Sequence, residues 1–297
     1  MFALALGLWL PFFLLFGPWQ SAISISPAGG EVPLLAERSS PGDLEIGGEL
    51  AGLPRGTVRY VRYADLLKLP EERYTISDDT NFKGQAEISG VSLPSLAKLF
   101  GQASHSDLIV AICYDKYRSN YPSDYLAAHR PILVLKINGQ LRDKWPPSED
   151  GGPLGPYLIS HPTFKPSFKV LSHEDEAQIP FGVTRLEFRT ESVVFGVIKP
   201  PGKWAANSPV AQGYIVARQD CFRCHGLYGE GGSRASRSWL VLSAWAATDA
   251  KRFQQYIHDP RSIQPSAKMP AHGSYDQATL DALTAYFRTF TPVRKTP

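Results

Sequence analysis

Cys221-Phe-Arg-Cys224-His225 is the densest group of reactive side chains in the sequence. Two thiols three positions apart on a helical turn reach the two vinyl groups on one edge of a porphyrin. The imidazole of the next residue then lies under the iron. C-x-x-C-H is accordingly the attachment pattern of c-type haem. Two other chemistries of paired cysteines lack their context here. A structural zinc site needs a second Cys or His pair at comparable spacing, and the third cysteine, Cys113, stands alone. A thioredoxin-like dithiol needs a βαβ setting, and the pattern around residue 221 is helical.

A second ligand on the iron follows by elimination. Of the two methionines one is Met1, which leaves Met269, in Lys268-Met269-Pro270. It stands 44 residues after His225, in a loop between two helical patterns, where a side chain can swing over a haem. A thioether opposite imidazole favours ferrous iron and raises the reduction potential. His258 and His272 are the rival ligands. The expected cofactor is one covalent haem c, held by Cys221 and Cys224, with His225 and Met269 on the iron.

The elements that must position these residues are helical. Ser208 can cap a helix with Pro209 in its first turn, where a missing N–H costs nothing. Thr248 can cap a second, with Phe253, Tyr256 and Ile257 on one face. Ser274 and Gln277 fit a capping box ahead of an apolar stripe of Leu280, Leu283, Phe287 and Phe290. Cys221-x-x-Cys224-His225-Gly226, the helix ending Tyr256-Ile-His-Asp-Pro260, Lys268-Met269-Pro270 and Leu283-Thr-Ala-Tyr286-Phe287 resemble class I cytochromes c. The resemblance covers residues 207–292. It implies a three- to four-helix fold with one haem edge exposed for electron transfer, and Tyr286 packed near Tyr214. Trp239, Trp245 and Arg261 are candidates to meet the haem propionates, with core and surface roles equally open.

Upstream, short strand-like runs at 44–50, 57–63, 108–112, 132–137 and 184–188 alternate irregularly with helical patterns at 64–69, 94–100 and 123–129. This argues α+β rather than a doubly wound sheet. The Pro- and Gly-rich stretch 146–156 reads as a long loop. Gly-rich phosphate loops, nucleophile elbows and tight metal-ligand spacings are missing from residues 44–195. His105, His129, His161 and His173 are scattered, and Glu174-Asp175-Glu176 reads as a solvated loop.

The order of segments in this region resembles the molybdopterin-binding domain of the sulfite-oxidase fold. The segments are Tyr63-Ala-Asp-Leu-Leu-Lys-Leu-Pro70, Gly90-Val91-Ser-Leu93, Tyr114-Asp-Lys-Tyr117, residues 133–139 with Asn138-Gly139, and Gly151-Gly152-Pro153-Leu154. That family places a Cys thiolate on molybdenum, upstream of the segment matched by Gly90 to Leu93. Here residues 74–89 contain no Cys, and Ile76-Ser-Asp-Asp-Thr-Asn81 stands in its place. Cys113 is the remaining thiol, with a buried, reduced role as the simpler reading. The resemblance therefore implies the fold without molybdopterin.

The expected organisation is a signal peptide or N-terminal membrane anchor (1–26), a linker (27–43), an α+β sulfite-oxidase-like domain (44–195), a hinge (196–206) and a small all-α cytochrome c domain (207–297). Residues 2–16 are apolar and uncharged, which suits export. Counted on to residue 25 the stretch also approaches the ~20 residues of a membrane span. The full chain of 297 residues carries a net charge of +3, too weak a bias for nucleic-acid binding. The charge is uneven: residues 207–297 hold eleven Lys/Arg against six Asp/Glu, a balance of +5. These readings point to an exported, periplasmic mono-haem cytochrome, soluble or tethered. It would transfer single electrons in a respiratory or redox chain, with a metal-free larger domain that docks a redox partner bearing an acidic patch. The alternative is a molybdenum-dependent dehydrogenase of a small oxyanion such as sulfite, fused to its cytochrome acceptor. A third reading is a structural subunit of a membrane respiratory complex.

Overall fold

The structure, a computed structural model, describes residues 32–148 and 151–291. The segment 1–26, expected to be a signal peptide or membrane anchor, lies outside the described residues. Among those described, no helix is long and apolar enough to cross a membrane.

The chain is a mixed α+β fold. Its strands are β1 (Leu44–Gly48), β2 (Arg59–Val61), β3 (Glu72–Ile76), β4 (Ala86–Ser92), β5 (Leu108–Cys113), β6 (Arg118–Pro122), β7 (Ile132–Ile137), β8 (Gln140–Leu141), β9 (Tyr157–Ser160), β10 (Lys169–Val170), β11 (His173–Glu174) and β12 (Phe181–Arg189). Short helices α1 (Tyr63–Leu66), α2 (Leu93–Leu99), α3 (Ser123–His129) and α4 (Glu191–Val194) lie among and after them. All but β10 and β11 join one ten-stranded sheet, β2-β1-β12-β9-β7-β4-β3, with β5 and β6 branching from β12. The β1–β12 pair is parallel and the other pairs are antiparallel. Strand β12 pairs with β9 at Phe181 and Val183, with β1 from Arg185 to Phe188, and with β5 from Val183 to Arg189, where its register shifts between Val183 and Arg185.

Strand β5 reads Leu-Ile-Val-Ala-Ile-Cys because both of its faces are covered. Side chains alternate across a strand, so Ile109, Ala111 and Cys113 enter the core of the sheet unit. Leu108 and Val110 enter a second core, built with the helices that follow. Those helices are α5 (Pro209–Gln219), α6 (Trp239–Thr248), α7 (Ala250–His258), α8 (Pro260–Ile263) and α9 (Gln277–Arg288). Ser208 caps α5, its Oγ accepting from Ala211 N. Asp249 rather than Thr248 caps α7, and Asp276 rather than Ser274 caps α9. Carboxylates are ionised acceptors and outcompete nearby hydroxyls; Asp276 Oδ1 takes both the amide and the hydroxyl of Thr279. Thr248 instead closes α6, its hydroxyl donating to Ala244 O.

Two connections expected to be loose are packed at one or both ends, while residues 36–41 and 201–206 are exposed. In the linker, Val32 and Leu34 are buried in the sheet core, and Asp43 accepts from both Ser39 and Ser40. At the hinge, Ile198 is fully buried beside Val194 and Phe195 in the helical core. Its carbonyl accepts a 2.5 Å hydrogen bond from the Tyr286 hydroxyl. The strands at 72–76, 86–92, 118–122 and 157–160 had no matching sequence expectation.

The closest helix crossing is α5 on α9. A Cβ at Gly213 would sit 2.1 Å from Ala282 O and 2.8 Å from Tyr286 Cβ. Only glycine permits this approach, because the obstacle is backbone. Gly213→Val should therefore lose about 1–3 kcal/mol, the usual cost of overpacking. Urea denaturation followed by circular dichroism will read this as a lower midpoint. An unchanged midpoint would mean that the two helices separate freely.

Candidate functional site

Helix α5 ends at Gln219, and the chain turns through a 3-10 segment, Cys221–Arg223. Cys221 O accepts from the amides of both Cys224 and His225, which places the two thiols and the imidazole on successive positions of one tight turn. Phe222, fully buried against Phe195 and Trp239, pins that turn to the helical core. The return strand passes so close that a Cβ on Gly232 would lie 1.7 Å from Arg223 O. Further amides secure the turn: Gly232 N donates to Phe222 O, Ala235 N to Cys224 O, and Trp239 N to Gly226 O.

Cys221, Cys224, His225 and Met269 line one cavity of about 780 Å³, including its open mouth. Its apolar wall comes from Leu242, Trp245, Phe253, Ile257 and Phe287. A second, adjoining cavity shares Cys224, His225, Met269 and Pro270, and opens past Arg234, Arg237 and Lys268. His225 Nδ1 lies 2.6 Å from Arg237 O. A carbonyl only accepts, so Nδ1 carries the hydrogen and Nε2 presents its lone pair. Burial holds the imidazole below its ordinary pKa, in the neutral form. Both cysteines are free thiols, pushed upward in pKa by burial.

The rival ligands separate. His258 is exposed at the end of α7, outside the cavity lining. His272 lines the cavity, but its ring stacks on Tyr275 at 4.9 Å. Of the propionate candidates, Trp239 is buried in the core, Trp245 reaches the cavity and Arg261 is exposed away from it. The cations that line it are Arg223 and Arg234, and Arg237 and Lys268 join Arg234 on the adjoining cavity. Arg237 lies over Trp245 and Tyr256, at 5.3 and 4.8 Å from their ring centroids, and donates to the Tyr256 hydroxyl. Tyr286 packs against Tyr214, with ring centroids 5.8 Å apart.

A polar junction behind the turn joins the helices to the sheet unit. Contrary to the sequence expectation, Asp175 and His173 are buried, and only Glu174 of the acidic run is exposed. Asp175 accepts from Ser167, from His129 Nε2 at 2.7 Å and from Gln219 Nε2 at 2.5 Å. His173 Nε2 donates to Gln219 Oε1 at 2.6 Å, and its Nδ1 lies 2.9 Å from the Tyr275 hydroxyl. Tyr275 in turn donates to Asp220. His129 and His161 are buried, while His105 is exposed. None of these partners has a sequence signal, because they lie in separate segments that only the tertiary fold unites.

A third pocket brings Cys113 together with Asp78, Thr80 and Asn81 of the Ile76–Asn81 segment. It shares Tyr117, Glu176, Arg223 and Arg234 with the cavity that holds the C-x-x-C-H turn.

No protein-family model matches the chain, and no curated protein matches it. Ten solved chains match. One is the sulfane dehydrogenase SoxCD from Paracoccus pantotrophus, 16 % identical, with a TM-score of 0.34 over 60 % of this chain and 49 % of that one. The chain thus spans about half the length of that solved chain, and a likeness this loose carries no argument about chemistry.

Burial raises the Asp175 pKa, but the hydrogen bonds from Ser167, Gln219 and His129 outweigh it and hold the carboxyl below its ordinary value of 3.8. A depressed folded pKa stabilises the fold above the ordinary value, and that contribution is lost as pH falls through the folded value. Asp175→Asn should cost about 1–3 kcal/mol at neutral pH, because it leaves buried donors unpaired. The gap from the parent in urea midpoint should narrow as pH drops below the carboxylate range. A constant gap at all pH values would remove the charge from the explanation.

Proposed function

We propose that this chain is an exported single-haem c-type cytochrome that passes electrons one at a time between redox partners. The observation that carries the reading is that Cys221, Cys224, His225 and Met269 converge on one apolar-walled cavity, with His225 locked in the tautomer that offers Nε2. The donor set fits the group: two free thiols for thioether bonds, one imidazole nitrogen and one thioether sulfur. Haem supplies a one-electron carrier when bound. The protein's part is to orient and insulate. Arg237 O fixes the ring of His225, the Phe222 anchor fixes the turn, and Leu242, Trp245, Phe253 and Phe287 exclude water. Arg234, Arg237 and Lys268 border the open side. With the +5 balance of residues 207–297, this suits a periplasmic partner with an acidic docking patch, in solution or within a membrane respiratory complex.

One observation favours a molybdenum-dependent dehydrogenase: Cys113 and the Asp78–Asn81 segment share a pocket next to the haem cavity. The residues there do not fit molybdopterin. Cys113 is 4 % exposed, and burial drives its thiol pKa upward. Asp79 is taken by Asn81 N and Ser160 Oγ, and Asp78 by Phe164 N. The lining guanidiniums already face acids: Arg234 lies 2.8 Å from Asp115, and Arg223 lies 3.4 Å from Glu176. The larger unit is accordingly proposed as a docking frame rather than a catalyst.

Expressed in a host that makes both cofactors, the purified chain should hold one covalent haem, lost in Cys221→Ser/Cys224→Ser. The oxidised protein should show the near-infrared sulfur-to-iron band, absent in Met269→Ala. A band that survives Met269→Ala would contradict the thioether assignment; its absence from the parent would leave His272 as the ligand. Elemental analysis of the same material should find iron without molybdenum. Near one molybdenum per haem, lost in Cys113→Ser, would replace this reading with the dehydrogenase.

A further inference from the structure

Glu176 holds a position that electron carriage alone does not require. It lines both the haem cavity and the pocket of the sheet unit. Its carboxylate, the carboxylate of Asp220 and the His173 ring offer atoms within 4.8 Å of one another. The Asp220 side chain is only 4 % exposed, and its Oδ1 has no hydrogen-bond partner. A metal ion is disfavoured there because Arg223 already occupies the cationic place, 3.4 Å from Glu176 and 3.5 Å from Asp220.

The charges around Glu176 come from every element packed on it. Arg223 and Asp220 approach from the turn after α5, and Tyr275 and His272 act through Asp220 from the loop before α9. Tyr117, Asp115 and Arg234 share the pocket. Asp175 and His173 flank it along the chain, and Tyr125 contacts its backbone carbonyl. In the cluster nearest the turn, the Glu176 and Asp220 carboxylates share the Arg223 guanidinium, with the His173 and His272 rings beside Asp220.

We propose that Glu176 is a proton-uptake site coupled to electron transfer: as the bound haem gains one electron from its redox partner, the Glu176 carboxylate takes one proton from water, and returns it on reoxidation. This rests on the haem reading above. The balance is one electron and one proton in each direction, which leaves the net charge of the cavity unchanged. The cause is Coulombic. An added negative charge makes a nearby carboxylate costlier, the more so where protein partly replaces water. Partial burial, then the Asp220 charge, pushes the Glu176 pKa up to about 7, while 43 % of the side chain stays open to the water that supplies the proton.

The test is potentiometry of the haem-loaded full chain over about two pH units either side of neutrality. The potential should fall as pH rises, and a tenfold difference in proton affinity between the oxidation states corresponds to about 59 mV. Glu176→Gln should flatten the profile. Asp220→Asn should keep the slope and move it to lower pH, since a neighbouring negative charge is gone. Infrared difference spectra should show a protonated carboxyl band on reduction in the parent and none in Glu176→Gln. A slope that persists in Glu176→Gln, or a flat profile in the haem-loaded parent, overturns the proton site alone. A chain that binds no haem overturns it together with the reading beneath it.

Discussion

The two-sided burial of strand β5 is the constraint on which the rest of the molecule rests. One face of Leu108–Cys113 closes the sheet core and the other closes the helical core. Neither core is complete without it. The strand therefore fixes the distance between the sheet and α5, and α5 delivers the turn that carries Cys221, Cys224 and His225. Phe222 and Phe195 extend the same apolar contact into that turn. The geometry of the site is set by packing a strand away, more than by any interaction among the reactive residues themselves.

Apolar contact alone would let the helices slide or rotate on the sheet. The polar junction removes that freedom. Asp175, Gln219, His173, Tyr275 and Asp220 form a chain in which each partner has one acceptable orientation. On the other side of the turn Glu230 pairs with Arg189 and Arg118 of the sheet unit. Buried ionic groups are costly to desolvate and add little net stability. Their effect here is registry, because a shifted helix would leave several buried groups unpaired.

The chemistry-bearing turn was legible in the sequence because attachment needs its residues contiguous. Met269 was legible because methionine is rare in this chain. The strand runs 108–112 and 132–137 were legible as continuous apolar segments, the signature of strands buried on both faces. Strand β4 was not, since Ala86–Ser92 mixes Glu, Ser and Gly, and its Gly90 is needed for close approach to Leu133 O. The burial of Asp175 was also illegible. An acidic run is usually solvated, and what inverts that rule here is Gln219, Ser167 and His129, drawn from three distant segments. Arg237 was missed for a similar reason: it acts through its backbone carbonyl, and side-chain identity says nothing about a carbonyl.

The Tyr286 hydroxyl bond to Ile198 O, with Ile198 itself buried, has a kinetic meaning. A cytochrome on a slack tether can search a range of docking poses, and its local effective concentration depends on the tether's length. Here the connecting segment is held at its start, which shortens the tether left to the helical unit. The sheet unit and the cavity of the C-x-x-C-H turn would then meet a partner together. Under the proposed function, selectivity would belong to that joint surface, and each electron would wait on a fresh collision of two bodies rather than on the stroke of an internal arm.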